Sequence, residues 1–186
     1  MAAYLVFLVA ICVERLAELV VSARHVAALK ARGGIEYGAG HYPAMVALHV
    51  AMLAGCFIEP VVADRPFLPA LGWSMVALVL AAMALRWWCI RTLGVQWSTR
   101  VVVAPTMPLV TGGPYRWLRH PIYAAILYFI WGTALDHRSY QAIAAAGLVT
   151  AGAIVRMYAE ETLLIGKYPE YATYRARTAR IIPFVL

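Results

Sequence analysis

The sequence predicts an all-α fold: a polytopic integral membrane protein with about five transmembrane helices. Of its 186 residues, 63% are hydrophobic, and the mean hydropathy is +0.73, whereas a soluble domain is nearer half apolar. Several apolar runs approach the roughly 20 residues that a helix needs to cross a bilayer. Polar segments rich in arginine, glycine and aromatic residues separate these runs. We therefore expect one membrane domain over residues 1–186.

Glycines, prolines and polar residues mark the ends of the predicted helices. The first apolar run carries Glu14 and Glu18, which share a helix face, and Arg15, which the spacing directs to another side. The two carboxylates either face the interior of the bundle, a partner or a cavity, or lie near the membrane surface and pair with Arg15 or with a charge on another helix. The predicted helices cover about residues 3–21, 43–59, 68–91, 121–135 and 139–164.

The two halves of the chain predict different roles. Residues 1–91 form a three-helix part, which we assign to the substrate side. Residues 92–120 contain no membrane span, and their β-branched run Val101–Val103 indicates extended or re-entrant backbone. Such backbone is tolerated at membrane depth only where protein or a water-filled cavity covers it. A loop this long is usually functional.

The net charge of +7 indicates contacts with anionic lipid rather than nucleic acid, because excess Lys and Arg in a membrane protein mark cytoplasmic loops. Basic residues concentrate in the first and third loops and in the C-terminal tail. The positive-inside rule then places the N-terminus outside and the C-terminus in the cytoplasm of a bacterial inner membrane. Cys12, Cys56 and Cys89 are scattered in apolar runs, so we expect packing roles and no metal site.

Two polar clusters interrupt the apolar pattern of the second half. One is Gly112–Tyr123, and the other is Arg156 with Glu160 and Glu161. An antiparallel hairpin of the last two helices would bring them together on the cytoplasmic side, where the long loop and the tail would complete a pocket. Such a pocket suits a zwitterionic ligand, because arginine pairs with a carboxylate and aromatic rings face a sulfonium. The alternative is an interfacial cap of salt bridges and aromatic anchors.

The spacing of these residues resembles the isoprenylcysteine carboxyl methyltransferase family over about residues 92–183. The resemblance implies an integral membrane enzyme that uses S-adenosylmethionine, with the cofactor on the cytosolic side and a lipid substrate arriving laterally between helices. The matching motifs are Leu93-Gly94-x-x-Trp97, Arg119-His120-Pro121-x-Tyr123, Glu160-Glu161, Leu164-x-Gly166 and Tyr168-x-x-Tyr171.

The resemblance also implies site residues by position. Arg119, Arg156 and Glu161 would lie between cofactor and substrate as catalytic residues. Because arginine does not act as a base under ordinary conditions, the arginines would orient the acceptor oxygen and Glu161 would fix their geometry. The residues that would border the cofactor are Val110, Gly113, Tyr115, His120, Pro121, Tyr123, Glu160, Tyr168 and Tyr171.

A motif in the first half narrows the expected substrate. The run Gly38-x-Gly40-His41-Tyr42-Pro43 resembles a bacterial branch similar to enzymes encoded with type III polyketide synthases, which methylate hydroxyls of alkylpyrones or alkylresorcinols. A weakly acidic hydroxyl needs a nearby base, and His41 is the candidate. A carboxyl acceptor, as in an isoprenylcysteine carboxyl methyltransferase proper, needs none and stays open.

Two other classes of protein stay open on the sequence alone. Sterol reductases share a distantly similar C-terminal core, so an NADPH-dependent membrane reductase is one alternative. A non-catalytic membrane scaffold or small transporter is the other. The chain contains no GxGxxG motif, which excludes a soluble dinucleotide-binding domain as the carrier of the cofactor.

Overall fold

The structure is a computed structural model that describes residues 2–62, 69–105, 107–136 and 140–182. These residues are mostly helical, with two short strands. The helices are α1 (Ala2–Ala31), α2 (Tyr42–Val62), α3 (Pro69–Leu93), α4 (Pro121–Asp136), α5 (Tyr140–Lys167) and α6 (Tyr171–Arg177), and the strands are β1 (Ile35–Tyr37) and β2 (Val101–Val103).

Helix α1 extends to Ala31, well beyond the predicted end at residue 21. The segment after residue 21 contains no glycine or proline before Gly33, so its alanines, leucine and basic residues continue the helix. Gly33 ends it with a positive φ of 75°. The amides of Gly33 and Gly34 then bond to the carbonyls of Lys30 and Leu29, which is the Schellman type of helix end.

The side chain of Arg15 does not point away from the two carboxylates, as the spacing predicted. Its guanidinium lies 2.6 Å from Glu14 and 2.9 Å from Glu18. Side chains at i and i+3 are neighbours on a helix surface, and a long arginine also reaches the adjacent residue. The structure therefore favours ion pairing over a free acidic face on α1.

Strands β1 and β2 pair antiparallel, with Glu36 opposite Val102. The sequence predicted extended backbone for residues 101–103 but gave no partner for it. The partner is only three residues long, too short for a periodic signal, and two-stranded sheets are marginal in isolation. Ion pairs from Glu36 to Lys30 and Arg100, both at 2.8 Å, add to this pairing.

The chain divides into two compact units. The first unit contains residues 1–43 and 93–108, and the second contains residues 44–92 and 109–186. One of these boundaries lies close to the predicted division at residue 91. The first unit nevertheless combines α1, which lies before that division in the sequence, with β2, which lies after it. The prediction of a single membrane domain stays a prediction.

Within the second unit, α4 and α5 form the predicted antiparallel hairpin. Trp131 Nε1 donates to Thr150 Oγ1 at 3.1 Å near one end, and Tyr123 bonds to Glu160 near the other. Ala124 and Ala146 are completely buried, which shows how small side chains permit close helix packing. The hairpin places the start of α4 beside the last turns of α5.

Two described helical segments are long and apolar enough to span a membrane: Pro69–Gln96 and Ile143–Lys167. Tyr42–Ile58 and Pro121–Gly132 are apolar but shorter. Among the described residues, this criterion supports two of the five predicted spans.

Candidate functional site

The polar motif reaches α4 through a tight turn at Gly113. This glycine has a φ of 56° and begins a 3-10 turn over Gly113–Arg116. A Cβ atom at this position would lie 2.6 Å from Thr92 Oγ1, so both the backbone conformation and the packing require glycine. Pro121 then takes the first position of α4, where a missing amide hydrogen costs nothing.

The C-terminal tail lies directly alongside this motif. The amide of Arg119 donates to the carbonyl of Ala179 at 2.8 Å, and that of His120 donates to the carbonyl of Arg180 at 3.0 Å. In the other direction, the amide of Ala179 donates to the carbonyl of Trp117 at 3.0 Å. These bonds fix the backbone of residues 117–120 just before α4 begins.

One carboxylate, Glu161, is shared by the side chains of Arg119, His120 and Arg180. Its Oε1 atom lies 3.0 Å from Arg119 Nε and 3.1 Å from His120 Nε2. Arg180 reaches both carboxylate oxygens at 3.2 Å, and Glu161 itself is only 4% exposed. We call Arg119, His120, Glu161 and Arg180 the Glu161 cluster.

The remaining bonds of Arg119 also go to the tail. Its guanidinium donates to the carbonyl of Arg175 at 2.9 Å and to the carbonyl of Thr178. Only 9% of the side chain is exposed. The internal bonds of Arg119 therefore tie the motif to α5 and to the tail.

The neighbouring carboxylate, Glu160, has different surroundings. Tyr123 donates its hydroxyl to Glu160 Oε1 at 2.6 Å, and Arg156 Nε donates to the same oxygen at 3.0 Å. Arg156 also contacts Met45 Sδ at 3.5 Å. We call Tyr123, Arg156 and Glu160 the Glu160 cluster.

Both hydrogen bonds of Glu160 end on the same oxygen. Its second oxygen, Oε2, has no hydrogen-bond donor among the described residues, and the side chain is 21% exposed. This arrangement presents a carboxylate oxygen that is held in place and still available to accept a hydrogen bond.

Tyrosines surround the two clusters. Tyr171 is 1% exposed, and its hydroxyl has no hydrogen-bond partner among the described residues. Burial, followed by the charge of Glu161, raises the pKa of Tyr171 to about 12. Burial also raises the pKa of Tyr115 well above its usual value. Tyr174 donates its hydroxyl to the carbonyl of Tyr115 at 2.7 Å, so it helps to hold the motif turn.

The other predicted cofactor residues take varied positions. The ring of His120 packs edge-on against that of Tyr123, with 5.6 Å between centroids. Tyr168 is half-buried, and Lys167 lies over its ring at 4.7 Å. Val110 is half-buried in the segment before the motif. The side chain of His41 lies outside the described residues, so its assignment as a base stays a prediction.

A comparison with family models matches residues 75–166 to the isoprenylcysteine carboxyl methyltransferase (ICMT) family. YpbQ of Bacillus subtilis (strain 168) is 30% identical over 154 residues, which cover 82% of this chain and 90% of YpbQ. This chain belongs to the ICMT family.

A solved ICMT structure has a similar fold. The eukaryotic intramembrane Ras methyltransferase ICMT matches with a TM-score of 0.60 and 27% identity over 81% of this chain. The match covers 55% of that chain, so this protein spans about half the length of the solved enzyme. Cobalt-zinc-cadmium resistance protein CzcN of Cupriavidus metallidurans is 31% identical over 63% of this chain and 50% of CzcN.

ICMT family members are membrane methyltransferases whose methyl donor is S-adenosylmethionine. The matched region contains all of both clusters except Arg180. In the described residues, no group of three or more His, Cys, Asp and Glu side chains could hold a metal ion.

The sequence did not identify Arg180 as part of the site, because the arginines of the tail indicated only membrane orientation. A signal was nevertheless present, since a buried carboxylate requires compensating charge. Glu161 has this requirement, and the tail is rich in arginine.

Proposed function

We propose that this protein transfers a methyl group from S-adenosylmethionine to an oxygen of a lipophilic acceptor at the membrane. The observation that supports the proposal best is the Glu160 cluster. A fixed carboxylate with one available oxygen lies beside an arginine at 3.0 Å, and charges of both signs complement the amino-acid end of the cofactor.

The residues present fit this cofactor. Glu160 Oε2 would accept from the ammonium group or from a ribose hydroxyl, and Arg156 would attract the carboxylate. The half-buried rings of Tyr123 and Tyr168 would pack against the adenine or face the sulfonium. The bound cofactor supplies the methyl group, and this chain orients the acceptor oxygen in line with it.

The Glu161 cluster has a supporting role in this proposal. The bonds of Glu161 and Arg119 end on each other, on His120 and on the tail. We therefore propose that both residues position His120 and the start of α4, and that Arg119 does not orient the acceptor oxygen directly as its motif position suggested. Arg156 remains our candidate for orienting the acceptor oxygen.

For the acceptor, we propose the hydroxyl of an alkylpyrone or alkylresorcinol lipid. Methylation forms an oxygen–carbon bond as the sulfur–carbon bond breaks, and the hydroxyl proton passes to a base, for which His41 is the candidate. The motif around His41 supports this choice. The second candidate is a carboxyl acceptor, which is favoured by the similarity to a solved isoprenylcysteine carboxyl methyltransferase.

We further propose the topology that the charge pattern predicted. Five helices span the membrane, the N-terminus is outside, and the cofactor pocket opens to the cytoplasm. A cysteine-accessibility scan that labelled the tail from the outside would contradict this orientation.

Methyl transfer tests the proposal directly. Purified protein and labelled S-adenosylmethionine are incubated with an alkylpyrone, an alkylresorcinol and farnesylcysteine, and label in the extracted lipid is counted. We expect transfer to one or both hydroxyl acceptors. Transfer to farnesylcysteine alone would select the carboxyl alternative. Binding of NADPH without binding of S-adenosylmethionine would reject methyl transfer altogether.

A further inference from the structure

The first compact unit contains a cleft of about 380 Å³ beside the C-terminal half of α1. Sites for small molecules usually measure about 300–1,000 Å³, so this cleft is large enough for a ligand. Among the described side chains, none that we assign to methyl transfer lines it. The proposed methyl transfer therefore does not explain the composition of this cleft.

One wall of the cleft is apolar and belongs to a single helix face. Leu19, Ala23, Val26 and Ala27 recur at helical spacing along α1 and line the cleft. Toward the N-terminus of α1, apolar surface continues beyond the cleft, because Leu16, three residues before Leu19, is 62% exposed. An alkyl chain lying along this helix would therefore contact apolar surface inside and outside the cleft.

A group of hydroxyls forms a polar part of the lining. Ser22 Oγ and Thr99 Oγ1 are 2.8 Å apart, and Tyr42 hydroxyl is 3.2 Å from Thr99 Oγ1. The amide of Thr99 donates to Ser22 Oγ at 2.9 Å, which fixes the position of this group. Hydroxyls donate readily to phosphate oxygens.

The charged part of the lining is cationic. Lys30 and Arg100 line the cleft, and no carboxylate from the described part of the chain does. Glu36 pairs with both cations from outside the lining. Hydrogen bonds from Lys30 and then Arg100 lower the pKa of Glu36, so it stays ionised and leaves one net positive charge.

An apolar wall, fixed hydroxyls and two cations together match an amphiphile with an anionic head group. We propose that this cleft binds the phosphate head group of an anionic phospholipid, whose acyl chain follows the apolar face of α1. Lys30 and Arg100 contact the phosphate, and the hydroxyls donate to its oxygens.

The test measures lipid binding rather than activity, so its result is independent of the proposed methyl transfer. Full-length protein in detergent is titrated with phosphatidylglycerol, phosphatidylcholine or inorganic phosphate, and bound ligand is counted by native mass spectrometry. We expect phosphatidylglycerol to bind about tenfold or more tightly than phosphatidylcholine. Equal binding of the two lipids would overturn the proposal. Inorganic phosphate that bound as tightly as phosphatidylglycerol would overturn the assignment to a lipid.

Matched variants separate the cleft from general surface charge. The double substitution Lys30→Gln and Arg100→Gln should abolish the preference for phosphatidylglycerol. Arg24→Gln with Arg32→Gln removes the same charge at exposed positions outside the cleft lining, so this control should keep the preference. An equal loss in both pairs would show nonspecific attraction and overturn the proposal.

A third variant changes shape without changing charge. Ala27→Phe places a large side chain on the cleft wall and should weaken phosphatidylglycerol binding about as much as the cationic double substitution does. Unchanged binding in this variant would exclude the cleft as the site.

Discussion

Glu160 and Glu161 are adjacent in the sequence, yet they occupy contrasting environments. Glu161 is buried, and both of its oxygens lie within 3.2 Å of Arg180. Glu160 keeps 21% of its side chain exposed and receives both hydrogen bonds on one oxygen. Consecutive residues on a helix differ by about 100° in direction, so one carboxylate faces the tail and the other faces α4 and Arg156.

The contrast separates two interpretations of the same polar residues. The Glu161 cluster fits the first interpretation, a cap of salt bridges, because its carboxylate pairs with arginines of the same chain. The Glu160 cluster fits the second interpretation, a ligand site, because Glu160 Oε2 remains available to accept a hydrogen bond. If this distinction is right, substitutions in the Glu161 cluster lower the stability of the fold, and substitutions in the Glu160 cluster weaken cofactor binding.

The largest expected effect is on the stability of the Glu161 cluster. Glu161→Ala would leave Arg119, His120 and Arg180 without their shared carboxylate. Breaking a buried pair from one side costs about 3–5 kcal/mol, so we expect a much lower melting temperature for the purified protein. A melting temperature equal to that of the unsubstituted chain would show that the cluster is not structural.

Glu160→Gln should affect binding and leave stability nearly unchanged. The loss of a charge-assisted hydrogen bond is worth about 1.5–3 kcal/mol, which weakens S-adenosylmethionine binding by about tenfold or more in calorimetry. Exposed Glu170 provides the matched control, because Glu170→Gln removes the same charge. A similar loss of affinity in both variants would remove Glu160 from the cofactor site.

Arg180→Gln should destabilise the protein less than Glu161→Ala does. The substitution removes two bonds to Glu161 but leaves Arg119 and His120 in place, so we expect a loss of about 1–3 kcal/mol. Arg177→Gln is the control, since Arg177 is exposed in the same tail. The comparison is made by chemical denaturation, and equal midpoints for the two variants would contradict the assigned role of Arg180.

The smallest expected effect appears only at alkaline pH. Tyr171 has a pKa of about 12 in the folded protein and about 10 when unfolded. Its contribution to stability is therefore complete below pH 10 and is lost as the pH rises toward 12. Tyr171→Phe should flatten this loss in melting temperatures measured from pH 8 to 12. It should change little near neutral pH, because the hydroxyl has no hydrogen-bond partner among the described residues.

Parts of this architecture follow directly from the sequence. The ion pair of Arg156 and Glu160 follows from their spacing of four, and the α4–α5 hairpin follows from small residues and a short connection. The helical continuation of α1 to Ala31 also had a signal, namely the absence of a helix breaker before Gly33, but the frequent glycines of residues 33–40 predicted a loop for the whole of residues 22–42.

Other parts had no signal of this kind. The tail is joined to residues 117–120 by backbone hydrogen bonds, which are compatible with almost any side chain and leave no periodic pattern. The direction of Arg119 depends on those bonds, because its acceptors include carbonyls of the tail. Strand β1, the partner of β2, could not be predicted either, because a strand of only three residues is too short to give a periodic signal.

The pairing of the tail with the motif also affects biosynthesis. Residues 178–180 are synthesised after α4 and α5, so Arg180 is the last member of the Glu161 cluster to be made. Before that point, Glu161 can pair with Arg119 but not with Arg180. The Glu161 cluster is therefore complete only after synthesis of the tail, and a chain that stops before Thr178 would carry this carboxylate without Arg180.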